Sequence, residues 1–189
     1  SLPMVMATRL DSIPPMQPWL AADPHKVAQW AQRLGERRRQ RIGLAWQGNT
    51  SHDNDLNRSI GLARLAPLLA ADADFVSLQQ QVPARDREPM AALPNLRDLG
   101  GELRDFTDTA ALVENLDGVI SVDTSVAHLA AAMGKACWVL LPWVADWRWM
   151  LEREDSPWYP SMRLFRQPAA GDWTEVIGRV RTALGASAV

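Results

Sequence analysis

The sequence predicts an α/β domain built on a parallel β-sheet with helices on both faces. Three observations carry this. From Arg41 onward, short aliphatic or β-branched runs alternate with stretches of helical period. Two of these runs, residues 119–122 and 137–141, are apolar on both faces, as strands covered from both sides must be. Polar clusters follow five of the strand ends: Gln47 to Arg58, Gln79 to Gln81, Asp105 to Asp108, Asp123 to Ser125, and Asp146 to Trp149. Open parallel sheets bind ligands at such carboxyl ends.

The elements follow in order. Five prolines fall in the first 24 residues, which argues against a regular helix or central strand there, so residues 1–22 read as an extended arm or interdomain linker. The domain proper reads as 23–189. Asp23-Pro24 starts a helix with apolar positions Val27, Trp30, Ala31 and Leu34, interrupted at Gly35. The basic run 36–41 reads as a solvated connector, with an anion-binding patch as the alternative. Residues 42–46 form the first strand and a polar loop spans 47–59. Residues 60–71 form a helix with Leu62, Leu65, Leu68 and Leu69 inward, despite Pro67. Residues 75–78 form the second strand, 84–92 a short helix, 96–99 the third strand, and 107–116 a helix. The fourth strand, 119–122, leads into a helix over 124–133 that Gly134 ends. The fifth strand, 137–141, stops at Pro142; residues 162–165 read as a sixth. Asp172 caps a last helix through Leu184, with Gly185 after it.

Composition excludes several function classes. The chain has 189 residues, is 47% hydrophobic, and carries a net charge of −2, without the basic excess of a general nucleic-acid binder. Its longest apolar stretch, residues 136–145, contains Pro142 and is too short for a bilayer span. A single cysteine, Cys137, excludes an internal disulfide and, with three histidines, disfavours a structural zinc site. No signal peptide is legible, so the expected location is cytoplasmic. The absence of an initiator Met reads as a piece of a longer protein. Eighteen of 20 basic residues are arginine, and nine of 13 aromatics are tryptophan, four of them between Trp138 and Trp149.

The sharpest motif is Asp123-Thr124-Ser125-Val126-Ala127-His128. A strand ends there and runs directly into an alanine-rich helix, whose first turn offers unpaired N–H groups and partial positive charge to a phosphate. Plain capping by Asp123 or Thr124 accounts for the same pattern, and His128 has a structural reading as a histidine satisfied by a backbone carbonyl. In the 47–58 loop, Gly48 permits a tight turn and Asn49 and Arg58 can reach a phosphate. His52, Asp53 and Asp55 there raise a metal reading. A calcium loop starting at Asp53 fails, because Arg58 occupies its glycine position and Arg64 its glutamate position; a solvated loop accounts for all three residues. A dinucleotide fingerprint, a P-loop and a nucleophile elbow are all absent.

Several segments together resemble one family: GLAWQGN (43–49), RSI (58–60), SLQQ (77–80), DFTDTAALVENLDGVISVDTSVAHLAAAMGK (105–135), LLPWVADWRWM (140–150), DSPWYP (155–160) and RLFRQP (163–168). They resemble the C-terminal half of bacterial glycosyltransferase family 9-like proteins, the group that often carries tetratricopeptide repeats upstream. Lipopolysaccharide heptosyltransferases share the Asp-Thr-x-x-x-His core, here Asp123, Thr124 and His128. The opening residues 1–14 resemble the linker that leaves the N-terminal domain in that group.

The resemblance implies one Rossmann-like half of a two-domain GT-B glycosyltransferase, with strand order 3-2-1-4-5 and a sixth strand at the edge. That half binds the nucleotide-sugar donor; the missing N-terminal domain supplies the acceptor site and the catalytic base. Donor diphosphate is implied at Asp123, Thr124, Ser125, His128, Arg58, Gly48 and Asn49. Arg58 stands where heptosyltransferases often have lysine. Gln79, Arg104, Asp105 and Phe106 are implied near the nucleoside, and Trp147 and Arg148 near the sugar or cleft. The tryptophans at 143–149 have a structural reading too, packed beneath the last helix with Trp173. No catalytic base is assigned, no cofactor is expected, and donor binding is expected to be metal-independent. A non-catalytic scaffold of a repeat protein is the alternative from another class, and a sugar-nucleotide epimerase a third option.

Overall fold

The computed structural model describes residues 2–14 and 18–186. The parts of the arm at Ser1 and 15–17 lie outside the described residues, as do 187–189.

Six strands form one sheet: β1 (Arg41–Ala45), β2 (Asp74–Ser77), β3 (Leu96–Asp98), β4 (Gly118–Val122), β5 (Ala136–Leu141) and β6 (Met162–Arg166). Their order is β3-β2-β1-β4-β5-β6 and every pairing is parallel. The expected order holds, and the sixth strand is present at the edge. In the register, Leu44 faces Ser77 on one side and Ile120 on the other, so β1, β2 and β4 end nearly level. The strand order reverses between β1 and β4, where a crevice opens beyond the carboxyl ends.

The helices are α1 (Leu2–Val5), α2 (Pro24–Leu34), α3 (Asp55–Arg58), α4 (Leu62–Leu69), α5 (Ala84–Ala91), α6 (Phe106–Glu114), α7 (Ser125–Ala132) and α8 (Trp173–Ala186). They cover both sheet faces. One core joins α2, α6 and α7 to the sheet through Trp30, Leu112, Val119, Ala127 and Val139. The other joins α4 and α8 to the opposite face through Trp46, Leu65, Phe75, Phe165, Val176 and Val180. Val119 and Ile120 enter opposite cores, which is why β4 is apolar throughout. Cys137 is fully buried, and burial pushes its thiol up to about 12. Among the described residues no helix is long and apolar enough to cross a membrane.

Local chemistry sets the element ends. The Asp23 carboxylate accepts from the His25 and Lys26 N–H groups at the start of α2, with Pro24 where no intrahelical N–H is needed. Gly35 and Gly134 follow α2 and α7 with φ of 69° and 75°, a region other residues rarely adopt. α4 is shorter at both ends than its apolar pattern predicts: Gly61 precedes it, extended, and Pro67 lies in its last turn, where the missing N–H removes a bond. α8 runs past Gly185 to Ala186.

The arm is not wholly extended. Leu2–Val5 forms one helical turn, because Pro3 sits in the first turn where its missing N–H is harmless. Farther along, the Trp19 and Leu20 N–H groups donate to the Ala132 carbonyl, at 3.0 and 3.3 Å, tying the arm to the end of α7. In the basic run, Arg37 pairs with Asp117 and Arg39 with Asp72, while Arg41 donates to the Leu34 and Gly35 carbonyls. These partners occupy the charges that an anion patch would need free.

Candidate functional site

The crevice beyond β1 and β4 holds a cavity of about 540 Å³. Seven of the sequence-predicted residues line it together: Gly48, Asn49, Arg58, Gln79, Phe106, Thr124 and Ser125. They come from five places in the chain, Arg58 from the end of α3. Gly48 and Asn49 follow β1, Gln79 follows β2, Phe106 opens α6, and Thr124 and Ser125 start α7.

Arg58 is the main cation of this cavity, and it is held rigidly. Its side chain is 14% exposed. Nε pairs with the Asp55 carboxylate at 3.3 Å, and an η-nitrogen donates to the Asp123 carbonyl at 3.0 Å. The Ser59 hydroxyl donates to the same Asp55 oxygen at 2.8 Å. The guanidinium therefore bridges the loop after β1 to the end of β4. Gly48 makes room for it, since a Cβ there would lie 2.4 Å from the guanidinium and 2.7 Å from the Asp55 carboxylate.

These contacts correct the reading of residues 47–59 as one solvated loop. Asp55–Arg58 folds into the one-turn helix α3, and Asp55 is buried at 6% exposure. A buried carboxylate needs a countercharge and donors, which Arg58 and Ser59 provide. The i, i+3 spacing of Asp55 and Arg58 was the available signal.

Thr124 is the N-cap of α7, yet its hydroxyl bonds to the Ser121 hydroxyl at 2.9 Å and does not cap the helix. Capping by Asp123 fails as well: its carboxylate lies 3.9 Å from His128 Nε2. Among the described residues the first-turn N–H groups of α7 thus have no side-chain acceptor, and Arg58 lines the same cavity. A helix start and a guanidinium thus line one crevice, the kind of arrangement that suits an anion.

Other predicted residues lie elsewhere. His128 stacks on Trp149 with ring centroids 5.2 Å apart, and its Nδ1 is 3.2 Å from the Tyr159 hydroxyl. Burial holds its pKa below the usual value, opposed by Asp123. With Trp147 and Arg148 it lines a separate apolar groove of about 700 Å³ beneath the arm. Trp147 packs edge-on against Trp158. Trp173 sits in the other core, so packing with Trp173 does not explain Trp147 or Trp149. Arg104 and Asp105 do not line the 540 Å³ cavity. Asp105 caps α6 by accepting from the Thr107 and Asp108 N–H groups; hydrogen bonds from the Thr107 hydroxyl and those N–H groups, with Lys26 nearby, lower its pKa to about 2. Lys26 in turn pairs with Asp108 at 2.7 Å, which raises its own pKa.

Sequence reasoning missed Thr109, which lines the cavity although its hydroxyl donates to the Asp105 carbonyl. It also missed Asp86, whose carboxylate accepts from Trp46 Nε1 at 2.9 Å and the Leu62 N–H at 3.0 Å. Among the described residues no three His, Cys, Asp or Glu side chains converge as a metal group.

The fold recurs in a solved structure. The Escherichia coli ADP-heptose lipopolysaccharide heptosyltransferase II superposes with a TM-score of 0.63 at 18% identity, over 92% of this chain and 54% of that one. The fold matches that of about half of this transferase. Protein FlbA of Caulobacter vibrioides is 29% identical over 187 residues, which cover 92% of this chain. The chain spans about a third of the length of FlbA and about half that of the transferase. No protein-family model matches the chain.

Proposed function

We propose that this domain binds the diphosphate of a nucleotide sugar in the cavity between Arg58 and the start of α7, and serves as the donor half of a glycosyltransferase. One observation carries the reading: the wedged Arg58 guanidinium and the uncapped first turn of α7 meet in one crevice at the β1/β4 switch point. Glycosyl transfer breaks a sugar–phosphate bond and leaves a nucleoside diphosphate of growing negative charge. Preorganised N–H groups and a guanidinium aimed at those oxygens stabilise that charge without reorganisation. Thr124 and Ser125 add hydroxyls at the helix start, and Gly48 lets the backbone approach. Phe106, 54% exposed, offers a face on which a base can stack.

On this reading the charge is met by protein groups, and donor binding is metal-independent. Turnover requires a facing N-terminal domain that carries the acceptor site and the base; tetratricopeptide repeats upstream and a cytoplasmic location belong to the same proposal. A thermal-shift screen of UDP-, GDP-, ADP- and CDP-sugars tests it. A ligand that binds only the folded state raises stability by RT ln(1 + [L]/Kd). At least one nucleotide sugar is expected to raise the midpoint, equally with and without EDTA. No shift with any of them, at millimolar concentration, contradicts the reading.

A further inference from the structure

A second cavity, of about 860 Å³, opens beside the first and is not absorbed by the donor reading. It lies beyond the carboxyl ends of β1, β5 and β6, at the starts of α4 and α8. The two cavities share Gln47 and Thr50 on their rims. Between them stands α3, with Asp55 lining the larger cavity and Arg58 the smaller.

The lining has a definite chemical character. Trp143 is 52% exposed, and buried Trp173 forms part of the same wall. Arg64, Arg85 and Asp53 surround them. Among the described residues Arg64 makes one 3.5 Å contact, to the Gly171 carbonyl, while Arg85 donates to the Gln47 side chain at 3.0 Å and has its Nε 3.9 Å from the Asp86 carboxylate, so both keep spare donors. Gln167 is 3% exposed and lines the cavity. Its carboxamide oxygen accepts from the Trp143 and Gly171 N–H groups, at 3.0 and 3.1 Å, which fixes the orientation of the amide. Its buried amide nitrogen has no partner among the described residues. Buried donors are almost always satisfied, and an acceptor brought by a ligand would satisfy this one.

An accessible indole, planar donors of both arginine and amide type, a carboxylate acceptor and no large single-sign field fit a polyhydroxylated ring. The apolar face of a sugar stacks on the indole, and its hydroxyls each give and take a hydrogen bond. The volume falls in the range of small-ligand sites. We infer that this cavity binds a neutral saccharide unit, distinct from the nucleotide and held next to it across α3. Its place beside a bound nucleotide rests on the donor reading; as a saccharide site it stands alone.

The test uses saturation-transfer NMR on the protein with glucose, galactose, mannose, N-acetylglucosamine and their disaccharides, and separately calorimetry with UDP, GDP, ADP and CDP. At least one saccharide is expected to receive saturation. Its signal falls at least tenfold in Trp143→Ala, and also in Gln167→Glu, which keeps the acceptor for the two N–H groups and removes the NH₂ donor. Circular dichroism verifies that both variants fold. Both retain the nucleoside diphosphate affinity of the parent, while Arg58→Lys weakens it and leaves saccharide binding intact. Saccharide binding with no nucleotide binding overturns the donor reading and keeps this site. No transfer to any saccharide, or transfer unchanged in the Trp143 and Gln167 variants, overturns this inference and leaves the donor reading standing.

Discussion

Replacing Arg58 by alanine strikes both the packing and the candidate chemistry, and the two effects separate by magnitude. As an ordinary loop residue, Arg58 would change stability by no more than about 0.5 kcal/mol on removal. Its contacts point to a larger loss. The ion pair with Asp55 has side-chain exposures of 14% and 8%. Removing one partner of a buried pair costs roughly 3–5 kcal/mol, whereas exposed pairs contribute about 0–1. Ser59 still donates to Asp55 after the change, and some exposure remains, so about 2–3 kcal/mol is expected. For a domain of this size that corresponds to a midpoint lower by about 5–10 °C.

Arg58→Lys keeps the charge and loses the fork that reaches Asp55 and the Asp123 carbonyl together, so it recovers part of the loss. Asp55→Asn in the Arg58→Ala background completes a double-mutant cycle, because neutralising the orphaned carboxylate should restore part of the stability. Calorimetry well below each midpoint then isolates binding. Loss of charge-assisted bonds to a diphosphate, worth roughly 1.5–3 kcal/mol, weakens nucleoside diphosphate binding about 10- to 150-fold and leaves nucleoside binding unchanged. A stability change under 0.5 kcal/mol for Arg58→Ala would refute the buried-anchor geometry. Equal weakening for diphosphate and nucleoside would refute the phosphate role.

Gly100→Ala is expected to destabilise strongly, by about 2–3 kcal/mol or more in urea unfolding, because its Cβ would lie 2.0 Å from the Gln79 carbonyl oxygen. Thr124→Ala with Ser125→Ala should leave the far-ultraviolet spectrum unchanged and weaken diphosphate binding in calorimetry by roughly tenfold or more, less than the sum of two independent bonds. His128 has a folded-state pKa held below 6.5 by burial, so the unfolded chain binds more protons and stability rises with pH across the window just below 6.5. Urea unfolding at several pH values should show that slope, and His128→Gln should flatten it. Native Cys137, buried with its pKa near 12, should react with a thiol reagent only after denaturant is added.

Much of the fold was legible because it depends on period and punctuation. Leu62, Leu65, Leu68 and Leu69 mark one face of α4, and all four are buried. The two-sided apolarity of β4 and β5 placed them inside a covered sheet. At the site, the same logic reached the residues that follow strands directly: Gly48 after β1, Gln79 after β2, and Thr124 and Ser125 after β4 all meet in one cavity. What escaped depends on side-chain direction. His128 sits a turn below the helix start, and Trp149, arriving from beyond β5, draws its ring into the groove under the arm. Asp105 has the composition of a binding residue, but its local N–H partners use it as a cap. Asp55 looked solvated because polar loops usually are, and its burial follows from Arg58 and Ser59 closing over it. Gln167 follows the sixth strand in a segment that carried the resemblance but no assigned role, and its place comes from the Trp143 and Gly171 N–H groups it holds.

The most direct test of diphosphate binding between Arg58 and the start of α7 is a nitrogen-15 NMR titration with the nucleoside diphosphate that gives the largest thermal shift. The backbone amides of Gly48, Ser125 and Val126 and the Arg58 Nε–H should move together and saturate at one Kd, while those of Trp147, Trp158 and Tyr159 in the groove under the arm stay in place. Movement confined to the Trp147–Tyr159 groove, or no saturable movement at Ser125 and Arg58, contradicts the account.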